Sequence, residues 1–320
     1  MNAMLDDQGH DSGQDNGSNR VATQAARGAC PARRHALLQL TRAALGGWLA
    51  AQGVLSAQAQ TAAAAPASSA KERKLALVIG NGNYRVGPLK NPAGDARAVA
   101  DSLRALGFDV TLRTDAGLAD MLDAMSRFSA RAAEAAVRLV FFAGHGLQSK
   151  GKNYLLPVDA DIKSEDDVAG RSADVGELIE RLGRVQHGIN IVILDACRNN
   201  PFSGGEIVGA DGRRLTFRGV PSKGLAAIDA PAGTMVAFST APGGVALDNP
   251  SEAHSLYTKH LIDNMQTPGL PVELLFKQVR IGVARDTLRK QVPWESSSLT
   301  GEFCFKADGK GTCSVTRLAQ

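Results

Sequence analysis

The sequence predicts an α/β fold, a three-layer α/β/α sandwich around a mostly parallel central sheet. Three observations carry this. Apolar runs of five or six residues at 75–79, 108–112, 137–142 and 189–194 read as buried strands. Segments with helical apolar spacing lie between them. Strands alternating with helices of ten or more residues imply right-handed crossovers and parallel pairing.

Taken in order, the run 75–79 is ended by Gly80. Residues 95–106 place Val99, Leu103 and Leu106 on one helical face, and Gly107 stops the helix. The strand 108–112 precedes a helical stripe of Leu118, Met121, Leu122, Met125 and Phe128. The strand 137–142 runs directly into Ala143-Gly144-His145-Gly146. Leu178, Ile179 and Leu182 mark a helix ahead of the strand 189–194, which runs into Asp195-Ala196-Cys197. Residues 203–232 are rich in Gly, Pro and Arg without periodicity and read as an exposed loop. A further strand covers 234–240, and Leu256, Tyr257, Leu261 and Met265 mark a helix. The segment 271–288 reads as another helix, with Pro in its first turn and Val272, Leu275 and Val279 facing inward.

The 320 residues are 44% hydrophobic and 21% charged, the composition of an ordinary soluble globular protein. Of fifteen aromatic residues, Trp48 alone falls in the first 70. A segment so poor in aromatics does not bury enough apolar surface to offset its ordering entropy. The expected organisation is therefore a disordered region over 1–70, a folded domain over 71–306 and a tail over 307–320. Net charge is +4 and no basic run interleaves with aromatics, so composition gives no support to a nucleic-acid partner. No uninterrupted apolar stretch reaches about 18 residues, which excludes a stable membrane span. Within 1–70, Arg33-Arg34 precedes the moderately apolar 36–57 and a small-x-small site at Ala57-Gln58-Ala59. That order predicts export by a twin-arginine-like signal to the periplasm. The alternative is an amphipathic helix in an Ala-rich tail of a cytoplasmic protein.

Cys304 and Cys313 flank the turn 308–311, where a hairpin disulfide and two free thiols are both open readings. Cys197 has no evident partner and raises the question of a nucleophile. Cys197 and His145 each follow closely on a buried strand, and ligand sites in open parallel sheets form at the carboxyl ends of strands. A thiol with a pKa near ~8.5 needs a neighbouring base to act as a nucleophile at neutral pH. An imidazole at the next strand end supplies that base, or the acid for a leaving amine. The N–H groups of Gly146 and Cys197 are candidates for an oxyanion hole. The competing reading is a buried structural thiol beside a turn histidine.

Five motifs, in order, resemble those of the caspase-like cysteine peptidases, in particular a bacterial caspase-domain and metacaspase-like branch. They are Leu77-Val78-Ile79-Gly80-Asn81-Gly82-Asn83-Tyr84; Leu89-Lys90-Asn91-Pro92-Ala93-Gly94-Asp95-Ala96; Phe142-Ala143-Gly144-His145-Gly146; Asp195-Ala196-Cys197-Arg198; and Ala237-Phe238-Ser239-Thr240-Ala241-Pro242-Gly243. The resemblance covers about residues 73 to 306. It implies the caspase–haemoglobinase fold, a Cys197–His145 dyad and a peptide or protein substrate, with no cofactor. A caspase-fold module that binds peptides or partners without turnover is the alternative.

Animal caspases have Gln-Ala-Cys and an arginine-lined pocket for aspartate. Here Asp195 stands two residues before the cysteine, as in metacaspases, whose acidic pockets take Arg or Lys. Asp95 matches their second acidic position, though an acidic residue in a helix first turn explains it equally well. Ser239, Thr240 and Ala241 resemble the edge along which caspases bind extended substrate. The loop basic residues Arg213, Arg214, Arg218 and Lys223 stand where the family has a processing linker, or are simply an exposed basic loop. Calcium activation, known in some metacaspases, is left unassigned: Asp159, Asp161, Glu165, Asp166 and Asp167 form an acidic cluster that a solvated loop explains equally well. His254 and His260 do not match zinc spacing, and no metal site is expected.

Overall fold

The computed structural model describes residues 73–197, 205–208, 214–217, 225–242, 246, 252–310 and 313; for Cys197, 205–208 and 214–217 it is the main chain that is described. The export signal read in 1–70 lies outside the described residues, as do Arg213, Arg218 and Lys223 of the basic loop. The first half of the chain comprises β1 (Lys74–Gly80), α1 (Pro92–Ala105), β2 (Phe108–Thr114), α2 (Leu118–Ala130), β3 (Val137–Ser149) and β4 (Lys152–Leu155). There follow α3 (Val168–Arg171), β5 (Ala173–Asp174), α4 (Val175–Gly183), β6 (Ile189–Cys197), β7 (Gly205–Val208) and β8 (Arg214–Phe217). Then come β9 (Thr234–Phe238), α5 (Leu256–Met265), α6 (Val272–Asp286) and β10 (Trp294–Ser297).

The central sheet runs in the order β10-β9-β6-β3-β1-β2. All its neighbours pair in parallel except β10, which lies antiparallel on β9. Side chains alternate between its faces. Ala76, Val78, Leu139, Phe141, Ile191, Ile193, Met235 and Ala237 pack on one side with α1, α5 and α6. Leu75, Leu77, Ile79, Val140, Phe142, Val192, Leu194, Val236 and Phe238 pack on the other with α2 and α4. Each large apolar chain so buried contributes about 1.5–3 kcal/mol, and strands covered on both faces read as the unbroken apolar runs seen in the sequence. This is the three-layer α/β/α architecture that the sequence predicts.

The strand order reverses between β1 and β3: the chain leaves β1 for β2 on one side and returns to β3 on the other. At such a switch point the loops after the two strands diverge and open a crevice at their carboxyl ends. Gly80, closing β1, is required there, because a Cβ on it would lie 2.2 Å from the carbonyl oxygen of Pro92 at the start of α1.

Several elements differ from expectation. The strand that includes His145 continues to Ser149, because its far end pairs antiparallel with β4. Helix α1 starts at Pro92, three residues early, with proline in the first turn. Leu122 is 47% exposed and lies outside the buried stripe of α2, whose inner face is Met121, Ala124, Met125 and Phe128. The exposed-loop reading of 203–232 is corrected in part: β7 and β8 form an antiparallel pair, and Leu225 is buried. Cys304 and Cys313 are joined by a disulfide with Cα atoms 5.5 Å apart. Among the described residues no helix is long and apolar enough to cross a membrane.

At the opposite, amino-terminal edge of the sheet, the fully buried Arg138 guanidinium donates to Asn190 Oδ1 (2.6 Å) and to the carbonyls of Ala132, Ala135 and His187. Burial pulls its pKa down to about 10, so it stays charged at neutral pH. It ties β3 to β6 at their shared starting register. Replacing Arg138 by Met keeps the bulk and removes every donor, leaving buried acceptors unmatched. Denaturant unfolding should show a loss of about 2–4 kcal/mol; a loss below about 0.5 kcal/mol would contradict this role.

Candidate active site

Strands β3 and β6 pair in parallel from Val137↔Ile189 to His145↔Cys197, with every aligned pair separated by the same interval of sequence. The apolar segment Leu139-Val140-Phe141-Phe142 lies beside Ile191-Val192-Ile193-Leu194. A shift of one residue would turn each set to the wrong face, so the core on both sides pins the register. His145 and Cys197 therefore stand side by side at the carboxyl ends of adjacent strands, whose backbones lie roughly 4.8 Å apart.

The imidazole of His145 is buried, and its Nε2 lies 2.6 Å from the carbonyl oxygen of Gly87. A carbonyl only accepts, so Nε2 carries the hydrogen and, in the neutral ring, Nδ1 is the basic nitrogen. The main-chain N–H of His145 donates to the hydroxyl of Tyr84 (3.0 Å), and its carbonyl accepts from the N–H of Leu156 (3.0 Å). The Tyr84 and His145 rings are in contact, with centroids 4.5 Å apart. Gly144 has φ +150°, and a Cβ there would lie 2.5 Å from the Tyr84 hydroxyl, so glycine is needed immediately before His145.

Asp195, two residues before Cys197, points to the α5 side of the sheet, where its Oδ2 accepts from the hydroxyls of Ser255 (2.6 Å) and Thr258 (3.2 Å). Asp95 lies in the first turn of α1, whose N-cap residue is Asn91; its carboxylate accepts from the N–H of Ser255 (3.2 and 3.3 Å) and faces His254 Nδ1 at 2.9 Å. Both carboxylates are buried. One residue, Ser255, thus joins the two acids, and its hydroxyl also accepts from the N–H of Thr258 as the N-cap of α5. The positive end of the α5 dipole faces the same place. Next to it the buried phenol of Tyr257 is held neutral, its pKa raised well above normal by burial and then by the charges of Asp195 and Glu295.

Other expected site residues are placed as follows. Gly146 is buried and packs beneath Leu225, whose Cδ2 would lie 2.9 Å from an added Cβ. Ser239 and Thr240 are buried, and the main chain of Ser239 already donates to Leu194 and accepts from Gln291 Nε2; of the three edge residues, Ala241 is the partly exposed one. The acidic cluster is tied into local structure: Asp159 accepts from the N–H of Leu118, Asp167 forms a capping box with Ser164, Glu165 accepts from Ser149, and Asp161 and Asp166 pair with Lys163 and Lys150. His260 faces Asp286 at 2.7 Å, whereas His254 faces Asp95. Among the described residues no group of three or more His, Cys, Asp or Glu is arranged to hold a metal.

The sequence reading missed Tyr84, Gly87, His254, Ser255 and Thr258 as parts of this site. Ser255 carried a readable signal, since a serine just before an apolar-periodic segment is a helix N-cap signature. The others act across long sequence separations that no local pattern reports.

A family model described as "Caspase domain" matches residues 73–304. The Homo sapiens mucosa-associated lymphoid tissue lymphoma translocation protein 1 is 33% identical over 128 residues, which is 39% of this chain and 15% of that protein. Its Mus musculus homolog is 31% identical over 128 residues. The match therefore spans about 15% of the length of these curated relatives. Among solved structures, caspase-1 from Spodoptera frugiperda superposes with a TM-score of 0.53 over 75% of this chain and 92% of that one, at 18% identity, a likeness of fold. With the family model covering most of the chain, and a caspase-like sheet beneath it, the chain belongs to the caspase-domain family of cysteine peptidases.

Proposed function

We propose that the protein is a cysteine endopeptidase that cleaves after Arg or Lys, using Cys197 as nucleophile and His145 as its acid and base. The observation that carries the reading is the register His145↔Cys197 at the carboxyl ends of two adjacent parallel strands. The tautomer of His145 supports it: with Nε2 held on Gly87, the basic Nδ1 can take the thiol proton. The thiolate sulfur then attacks the scissile carbonyl carbon, whose oxygen gathers negative charge beside the N–H groups of Gly146 and Cys197. The C–N bond breaks as the imidazolium returns the proton to the leaving amine. Water then hydrolyses the thioester and restores the thiol.

Selection for a cation rests on Asp195 and Asp95, two buried carboxylates converging on Ser255. A guanidinium offers paired donors that match such acceptors, whereas an aspartate side chain would meet like charge.

Turnover of peptide amides ending in Arg, Lys or Asp tests this directly, with and without calcium. The full chain should cleave Arg and Lys substrates, and Cys197→Ala should abolish cleavage; turnover that survives in Cys197→Ala would remove the nucleophile assignment. Asp195→Asn should lower kcat/KM for the Arg substrate by roughly 30- to 1000-fold, the equivalent of about 2–4 kcal/mol for truncating one side of a desolvated charge pair. Equal kcat/KM for Asp and Arg substrates in the unmutated protein would overturn the pocket assignment.

A further inference from the structure

The segment between β1 and α1 holds the second half of the first motif, Asn81 to Tyr84, which neither of the two acids uses. It is a built structure rather than a connection. Asp115 Oδ1 accepts from the N–H groups of both Gly82 and Asn83 at 2.9 Å. The carbonyl of Gly82 accepts from the N–H groups of Tyr84 and Leu89. The buried Asn81 side chain accepts from Ala116 and donates to the carbonyls of Ala116 and Leu156. Tyr84 and Val86 are buried against Leu147, Tyr154 and Leu156.

This loop supplies three constraints on His145. Gly87 holds Nε2, the Tyr84 ring lies against the imidazole, and the Tyr84 hydroxyl takes the His145 N–H while donating to the carbonyl of Leu156 (3.1 Å). A hydroxyl both donates and accepts, which phenylalanine cannot do. The contact spans 61 positions in sequence and fixes the one residue in β3 whose ring must be aimed at the neighbouring strand.

We infer that Tyr84 is a positioning residue for His145, its hydroxyl fixing the backbone and its ring the tilt that present Nδ1 to the thiol of Cys197. The inference rests on the dyad reading above. A misplacement of about 1 Å in a reacting group costs on the order of 100-fold in rate, so the contribution is measurable.

The test is Tyr84→Phe, which keeps the ring and removes the hydroxyl, made in the full chain alone and in a His145→Ala background. Two readouts are taken, the kcat and KM for an Arg peptide amide and the rate of Cys197 alkylation by iodoacetamide across pH. Thermal unfolding of each variant reports folding separately. The expected result is a kcat lowered roughly 10- to 100-fold with KM changed less than about threefold. Alkylation should slow in Tyr84→Phe and lose its His145-dependent pH profile, with no further change when His145 is already absent. An equal loss in both backgrounds, a loss confined to KM, or alkylation indifferent to both residues would overturn the inference. If the unmutated protein turns over no peptide but its alkylation depends on His145 and Tyr84 together, positioning stands and the peptidase reading fails. If peptide turnover is unaffected by Tyr84→Phe, positioning fails and the peptidase reading stands.

Discussion

The parallel pairing of β3 with β6 is the constraint on which the rest of the site depends. Hydrophobic burial on both faces of these strands leaves one register in which all their apolar residues are covered. That register sets His145 beside Cys197. Arg138 fixes the same pairing from the other end through Asn190 and the carbonyl of His187. The placement of these two residues, far apart in sequence, is therefore inherited from the core.

A second constraint comes from the helix side of the sheet. Asp195 is on β6 and Asp95 is on α1, and Ser255 meets both while capping α5. Packing of α1 and α5 on one face brings the carboxylates together. Neutral hydroxyls, a backbone N–H and His254 hold them at a helix amino terminus, where negative charge is favoured. The two acids and the histidine–cysteine pair share the carboxyl edge of the sheet, so the proposed selecting groups and the proposed reacting groups stand on one edge. The loop after β1 completes the arrangement because the strand order reverses there, placing Tyr84 and Gly87 against the imidazole.

The central strands were legible because burial on both faces writes them as continuous apolar runs ended by glycine or a polar residue. His145, Cys197 and Asp195 could be located for the same reason, as polar residues closing such runs. Strand β10 (Trp294–Ser297) was not legible: Trp-Glu-Ser-Ser has no apolar run, and its pairing with β9 is set by tertiary packing. The short β4 and β5, and the pair β7 and β8, likewise depend on partners rather than on local pattern. Leu122 matched the helical stripe by spacing but lies outside the buried face of α2. Tyr84 closes the first motif, yet its contact with His145 spans 61 positions and has no local sequence signal.

The most direct measurement of the central claim is covalent trapping. The full chain would be treated with a peptidyl chloromethyl ketone ending in Arg and one ending in Asp, and the adduct located by mass spectrometry. The account predicts one adduct, on Cys197, formed faster from the Arg reagent and strongly slowed in His145→Ala. Label on another residue, or labelling of Cys197 at a rate indifferent to His145, would contradict it.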